Sequence, residues 1–182
     1  MVVALVLLAA GPALAQSMAD DSDPWRGSDD ESRETFGVRG GIGFMEGPDA
    51  FVAAFEIETM VTRQVGVGVG TQFGVQDEFI VLSPTVHSRY RFDVSHLENR
   101  YLRKLRPFAQ AGFGITHLDV DERGGGDKDA TDLMFNFGGG FDYPIDEHAE
   151  LGSRIMINVI PGEVLDQRIY FSWELITVRY RW

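Results

Sequence analysis

From Phe36 to Trp182 the chain alternates apolar and polar side chains in steps of two, run after run. Successive side chains of a strand leave on opposite faces, so this period specifies strands with one greasy and one polar face. Eight such runs can be read. In the first, Phe36, Val38, Ile42 and Phe44 share a face and Arg39 lies on the other. Phe51 to Val61 sets Phe51, Ala53, Phe55 and Ile57 against Glu56 and Glu58. Val65 to Val75 sets Val65, Val67, Val69 and Phe73 against Gly66, Gly68, Gly70 and Gln72. Phe79 to Phe92 sets Ile80, Leu82, Val86, Tyr90 and Phe92 against His87, Arg89 and Arg91. Pro107 to Leu118 sets Ala109, Ala111, Phe113 and Ile115 against Gln110, Gly112, Gly114 and Thr116. Asp132 to Tyr143 sets Leu133, Phe135, Phe137, Phe141 and Tyr143 against Asn136, Gly138, Gly140 and Asp142. Ala149 to Ile160 sets Leu151, Ile155, Ile157 and Val159 against Glu150, Gly152, Arg154 and Asn158. The last run ends on Ile176, Val178, Tyr180 and Trp182, interleaved with Thr177, Arg179 and Arg181.

Runs of about ten residues with this period, separated by turn residues, are the pattern of a transmembrane barrel. With eight strands the interior is just wide enough for side chains to fill. A soluble barrel has the same period with its apolar face inside, so other features must decide. The polar faces are dense in glycine, which only weakens a water-facing strand but in a narrow lumen makes room for long Arg and Glu side chains. Aromatic residues stand near the strand ends on the apolar faces, as interfacial girdles require: Phe36, Phe44, Phe51, Phe92, Tyr143, Tyr180 and Trp182. No Gly-x-Trp signature of the lipocalin kind lies in the first strand. The prediction is an all-β, eight-stranded antiparallel up-and-down transmembrane β-barrel over residues 35–182.

Ahead of it, Met1 to Ala15 is an uncharged apolar run closing on Ala13-Leu14-Ala15 before Gln16, the small-x-small form of a secretory cleavage site. At this length it is too short to span a bilayer, which needs about 20 residues. No Lys or Arg precedes the run, so its n-region is weak. Residues 1–15 are expected to be a cleaved signal peptide. Residues 16–34 hold Asp20, Asp21, Asp23, Asp29, Asp30, Glu31 and Glu34 against Arg26 and Arg33, and read as a disordered acidic leader. A net charge of −12 argues against nucleic-acid partners, and the absence of cysteine rules out disulfides and thiolate metal sites. No later stretch is long and apolar enough for a membrane-spanning helix.

The run order, the segment Pro107-Phe108-Ala109-Gln110-Ala111-Gly112-Phe113-Gly114, the segment Phe137-Gly138-Gly139-Gly140-Phe141-Asp142-Tyr143 and the aromatic-ended last strand carry a family resemblance. The chain resembles the small outer-membrane β-barrel proteins that include the barrel of outer membrane protein A and the X-type barrels, over about residues 34–182. The resemblance implies a bacterial outer-membrane location with both chain termini in the periplasm. It implies outer-membrane lipids and lipopolysaccharide as surroundings, and assembly by the barrel-insertion machinery through Ile176, Val178, Tyr180 and Trp182. No peptidoglycan-binding domain is expected after Trp182, and a monomer is expected. On this topology 46–49, 76–78, 119–131 and 161–168 face outside. The turn 93–106 faces the periplasm, is long for such a turn and carries Arg100, Arg103, Lys104 and Arg106. It reads as a solvated turn, with contact to anionic headgroups or a periplasmic partner as the functional alternative.

The inward positions include Arg39, Arg89, Arg154 and Arg179 with Glu56, Glu58, Asp142 and Glu150. Buried charges must pair, so these eight are expected to form a salt-bridged network closing the lumen. No cofactor or metal is implied. The run from Asp119 to Ala130 has Arg123 and Ala130 where a helix-loop-helix calcium site needs oxygen ligands, so 119–131 reads as a hydrated flexible loop. Lipid A deacylase barrels of similar size use a His-x-Ser pair with a Glu. Here His87 is followed by Ser88 on the opposite face, His117 has Asp119 two residues on, and His96 and His148 fall in turns. No catalytic residue is therefore assigned. Pro84 sits inside the fourth run, where it costs a ladder bond unless a bulge absorbs it. Glu174 falls on the lipid-facing parity, so either it lies above the membrane or the parity shifts there; His117 sits near an outer rim. The function expected is structural or surface interaction without catalysis. A lipid A-modifying enzyme and a narrow channel are the alternatives.

Overall fold

The computed structural model describes residues 36–47, 49–76, 79–99, 101–122, 126–162 and 168–182; the side chains at 79 and 120–129 are outside this description. The expected signal peptide and leader lie outside the described residues. Eight strands follow one another: β1 (Phe36–Glu46), β2 (Ala50–Met60), β3 (Val65–Gln76), β4 (Phe79–Arg91), β5 (Arg106–Glu122), β6 (Gly126–Pro144), β7 (Ala149–Val159) and β8 (Ile169–Arg181). Each pairs antiparallel with the next, and β1 pairs with β8, so the sheet closes into a barrel with no free edge. The apolar faces point outward. Ile42, Phe55, Val69, Phe137, Ile155 and Val178 are all exposed on the outside, whereas the alternate positions are buried. Such an outer surface suits hydrocarbon, not water.

Aromatic residues mark two levels of this surface. At the end where β1 begins and β8 ends, Phe36 lies 5.0 Å from Trp182, Tyr180 lies 5.7 Å from Trp182, and Tyr90 meets Phe92 edge-on at 5.2 Å. At the other end Phe44 and Phe51 face each other across the first hairpin, 6.4 Å apart. That hairpin turns through Gly47 at φ 78°, a conformation open to glycine. At the first end the β6–β7 turn is held by Asp146, whose carboxylate accepts from the backbone N–H groups of His148 (2.8 Å) and Ala149 (2.6 Å). These bonds to the charged form lower its pKa below the usual carboxylate value.

The structure corrects one local expectation, decides two that the sequence left open, and bears out a fourth. The segment 119–131 is not a loose loop: the ladder runs on through Asp119↔Asp129 to Glu122↔Gly126. An antiparallel hairpin can extend on backbone bonds alone, so polar composition hid its strands. Pro84 costs the ladder pairing on one side, and no bulge absorbs it. The β3 side stays paired at Thr71↔Pro84, while the β5 side omits Ser83 and Pro84 and resumes in the same register at Thr85↔Gly114. Glu174 is inside, because β8 carries one extra residue there. Its partners jump from Gly43↔Glu174 to Ile42↔Ile176, and Leu175 and Ile176 are both exposed. A bulge of this kind reverses parity for everything before it. The connection from β4 to β5 is as long as the sequence suggested, and holds one short 3-10 turn, Leu102–Lys104.

Candidate functional site

The interior is where charged groups are brought together away from water. Arg39, Glu56, Glu58, Arg89, Asp142, Glu150, Arg154 and Arg179 are all buried on the inner face. The register explains how they fit. Glycines stand directly across the ladder from long side chains: Gly70 faces Glu56, Gly68 faces Glu58 and His87, Gly66 faces Arg89, and Gly140 faces Arg154. A Cβ on Gly66 would lie 2.9 Å from the Glu58 carboxyl carbon, and one on Gly68 would lie 2.8 Å from Nε2 of His87.

Into that space the charges interlock across the barrel. Arg39 Nη2 donates to Asp142 at 2.5 Å, and Arg89 Nη2 donates to Glu56 at 2.8 Å. Arg154 bridges Glu56 and Glu174 through its two terminal nitrogens. Glu58 receives Arg179 at 2.6 Å, Arg89 at 3.0 Å and Arg91 at 3.3 Å. Glu150 receives Arg106 at 2.6 Å, with Arg179 and Arg181 each at 3.6 Å. Phe108 is buried against this cluster, with the Arg89 guanidinium 4.3 Å and that of Arg39 5.1 Å from its ring centre, a cation–π arrangement. Reading the sequence left Glu174, Arg91, Arg106, Arg181 and Phe108 out of this set. Arg181 and Phe108 share the inner parity and could have been found, but Glu174 could not without the bulge. His87 is buried among these groups, and neither ring nitrogen has a hydrogen-bond partner among the described residues.

Moving away from the chain ends, charge gives way to neutral polar groups and then to hydrocarbon. Gln72 donates to Ser172 (3.1 Å) and Glu174 (3.2 Å), Asn158 donates to Ser172 (3.2 Å), and Ser83 and Thr116 share a bond of 2.9 Å. Beyond them Met45, Ala50, Val52, Met134, Ile160 and Tyr170 form one buried apolar cluster inside the barrel, and the Tyr170 hydroxyl lies 3.0 Å from the Met134 sulfur. Val81, Leu118 and Met156 are also buried. This corrects the expected lumen, which was polar throughout: ion pairs fill one end, and hydrocarbon seals the other. Its signal was present as breaks in the alternation, where three apolar residues run together: Ile80-Val81-Leu82, Leu133-Met134-Phe135, Ile155-Met156-Ile157 and Ile169-Tyr170-Phe171.

Glycine packing supplies a direct test. Gly66→Val should push Glu58 off its arginines and lower the stability of the refolded barrel by about 1–3 kcal/mol, the usual cost of overpacking. Gly40→Ala, whose new Cβ meets only the Ala54 carbonyl at 3.9 Å, should be near neutral. Equal urea midpoints for the two variants would show that the interior glycines are not needed as space.

On the outer face, Ile176, Val178, Tyr180 and Trp182 are all exposed on the barrel wall. His117 also lies on the outer-face parity, where its Nδ1 is 2.8 Å from the Thr131 hydroxyl on the neighbouring strand. No carboxylate bonds its other nitrogen among the described residues. His87 and Ser88 leave on opposite faces, and His96 and His148 are exposed in turns. Among the described residues no group of three metal-ligating side chains occurs.

No family model and no curated protein matches the sequence. Solved structures do. Neisserial surface protein A superposes with a TM-score of 0.62 at 15% identity, over 81% of this chain and 96% of that one. The N-terminal β-barrel domain of Pseudomonas aeruginosa OprF gives 0.62 at 13% identity, over 82% and 98%. The outer membrane enzyme PagL gives 0.50 at 12% identity, over 79% and 98%. At these identities the likeness establishes the fold, which is that of the small eight-stranded outer-membrane barrels.

Proposed function

We propose that this chain is an outer-membrane barrel with a structural or surface-interaction role, and that it neither conducts nor catalyses. The observation that carries this is the filled interior: a buried ionic network at one end and an apolar plug at the other, inside a wall whose outer face is hydrocarbon-compatible. A conducting barrel needs a continuous wet path, and eight strands leave no room for one once the lumen holds Arg154, Glu174, Tyr170 and Met134. The fold shared with a neisserial surface protein supports the location. In cells the protein should fractionate with outer membranes and migrate differently before and after boiling. In planar bilayers it should give no conductance steps. Recovery as a soluble species without a heat shift would refute the location, and regular conductance steps would refute the closed lumen.

One observation favours a second reading, modification of lipid A. The His117–Thr131 contact on the outer face places a base against a hydroxyl, the first requirement of an activated nucleophile. Two things weigh against it. Among the described residues no acid orients the imidazole. A cleft of about 490 Å3 lined by Phe44, Phe51, Val75, Phe171 and Trp173 lies among β8, β1, β2 and β3, away from β5 and β6. Mass spectra of lipid A from cells expressing the wild type and His117→Ala should be identical. A lost acyl chain that returns in the variant would establish the enzyme instead.

A further inference from the structure

Among the described residues, the ion pairs of the interior do not use Arg103 and Lys104 of the connection from β4 to β5. This connection lies at the barrel end that carries Phe36 and Trp182. It is built, not slack: Asn99 Oδ1 accepts from the backbone of Tyr101 at 2.9 Å, the Asn99 carbonyl accepts from Arg103 N–H at 3.0 Å, and Leu105 N–H closes the 3-10 turn on Leu102 at 3.1 Å. Asp93 caps the first bend by accepting from Ser95 N–H at 2.9 Å. The turn holds two large apolar side chains outward, Tyr101 at 72% and Leu102 at 43% exposure, directly beside exposed Arg103 and Lys104. Burial does not explain this display, since no residue of the 3-10 turn is buried. The connection starts at the aromatic pair Tyr90–Phe92, at the end of β4, a pair of the kind found at membrane boundaries.

We infer that this turn is a docking surface for the phosphodiester headgroups of anionic phospholipids in the leaflet on that side, Tyr101 and Leu102 entering the interface while Arg103 and Lys104 meet phosphate. The inference rests on the outer-membrane reading above. Charge carries the choice of occupant. In a chain of net charge −12, the connection holds Arg100, Arg103 and Lys104 against Asp93 and Glu98, while Arg106 at its end is paired with Glu150 inside the barrel. Basic residues next to a membrane-spanning element are attracted to anionic lipid, and an aromatic–aliphatic pair beside them is the composition of an interfacial contact. A protein partner would be equally served by the charge. It would not call for the connection to start from the aromatic pair Tyr90–Phe92 at the end of β4.

The chain has no cysteine, so His96→Cys offers a single site for a polarity-sensitive dye. The labelled full-length barrel is reconstituted in phosphatidylcholine vesicles with and without phosphatidylglycerol. The expected result is a blue shift of emission when phosphatidylglycerol is present, removed by high salt and by Arg103→Glu with Lys104→Glu. Tyr101→Ser with Leu102→Ser should reduce the shift while leaving its salt dependence. The same emission in both lipids, or a shift indifferent to charge reversal, overturns the inference. So does a shift seen only when soluble envelope proteins are added. Heat-shifted gel mobility of each sample separates the two levels: no insertion into either vesicle refutes the outer-membrane reading, whereas insertion without lipid preference refutes the docking surface alone.

Discussion

Replacing Arg154 by methionine should lower the unfolding free energy of the barrel by about 3–5 kcal/mol, the range for removing one partner of a buried ion pair. Arg154 is 2% exposed and is shared by Glu56 and Glu174, which are 5% and 1% exposed. Methionine keeps most of the volume, so the loss measures two carboxylates deprived of a shared cation and not a cavity. Arg89 still holds Glu56 at 2.8 Å, and Glu174 keeps only the Gln72 amide at 3.2 Å. Adding Glu174→Gln to the methionine variant should therefore recover a substantial part of the loss, and adding Glu56→Gln less. The check is a double-mutant cycle on equilibrium unfolding in detergent. A single-variant loss below about 1 kcal/mol, the size of an exposed pair, would mean that water reaches this layer and the lumen is not closed as described.

The second large effect is expected in cells and not in the test tube. Trp182→Asp should sharply reduce the amount of folded, heat-shifted protein in the outer membrane. The refolded variant should lose no more than about 1 kcal/mol, since charges near the membrane interface are tolerated. Trp182 is 53% exposed and its ring neighbours are surface residues, Phe36 at 5.0 Å and Tyr180 at 5.7 Å. Little packing is lost with it, so an assembly defect would point to recognition of the strand end. Pulse-labelled insertion compared with urea unfolding separates these cases. Insertion at wild-type level, or a stability loss large enough to explain the defect, would make Trp182 an ordinary girdle residue.

Much of this molecule is written in local pattern. The period of two in β1, with Phe36, Val38, Ile42 and Phe44 against Arg39, needs no knowledge of what lies across the barrel. Strand geometry alone sends alternate side chains to opposite faces. The same holds for β2 and β3, where alternation by itself turns Glu56, Glu58 and the facing glycines inward. The wall chemistry followed too, because a small barrel cannot expose polar residues to lipid on one face and fill a narrow lumen with rings on the other.

What remained hidden was non-local. Glu174 is separated from Arg154 by 20 residues and from Gln72 by 102, and its inward direction depends on a single extra residue near Leu175. A bulge changes no residue's identity and reverses the face of all that precede it, so period counting from Trp182 misplaced Glu174. The outer plug was missed for a related reason. Met134 and Tyr170 sit on the inner parity but are apolar, and alternation treats an apolar triplet as lost signal. Only closure of the barrel brings Met45, Val52, Met134 and Tyr170 from four strands to one level and makes them a seal. Sequence determined the strands, their faces and the kind of solvent each face meets, because those follow from the backbone's own repeat. Tertiary structure decided which charge meets which and where the lumen turns from ionic to apolar, because those depend on register between strands far apart in the chain.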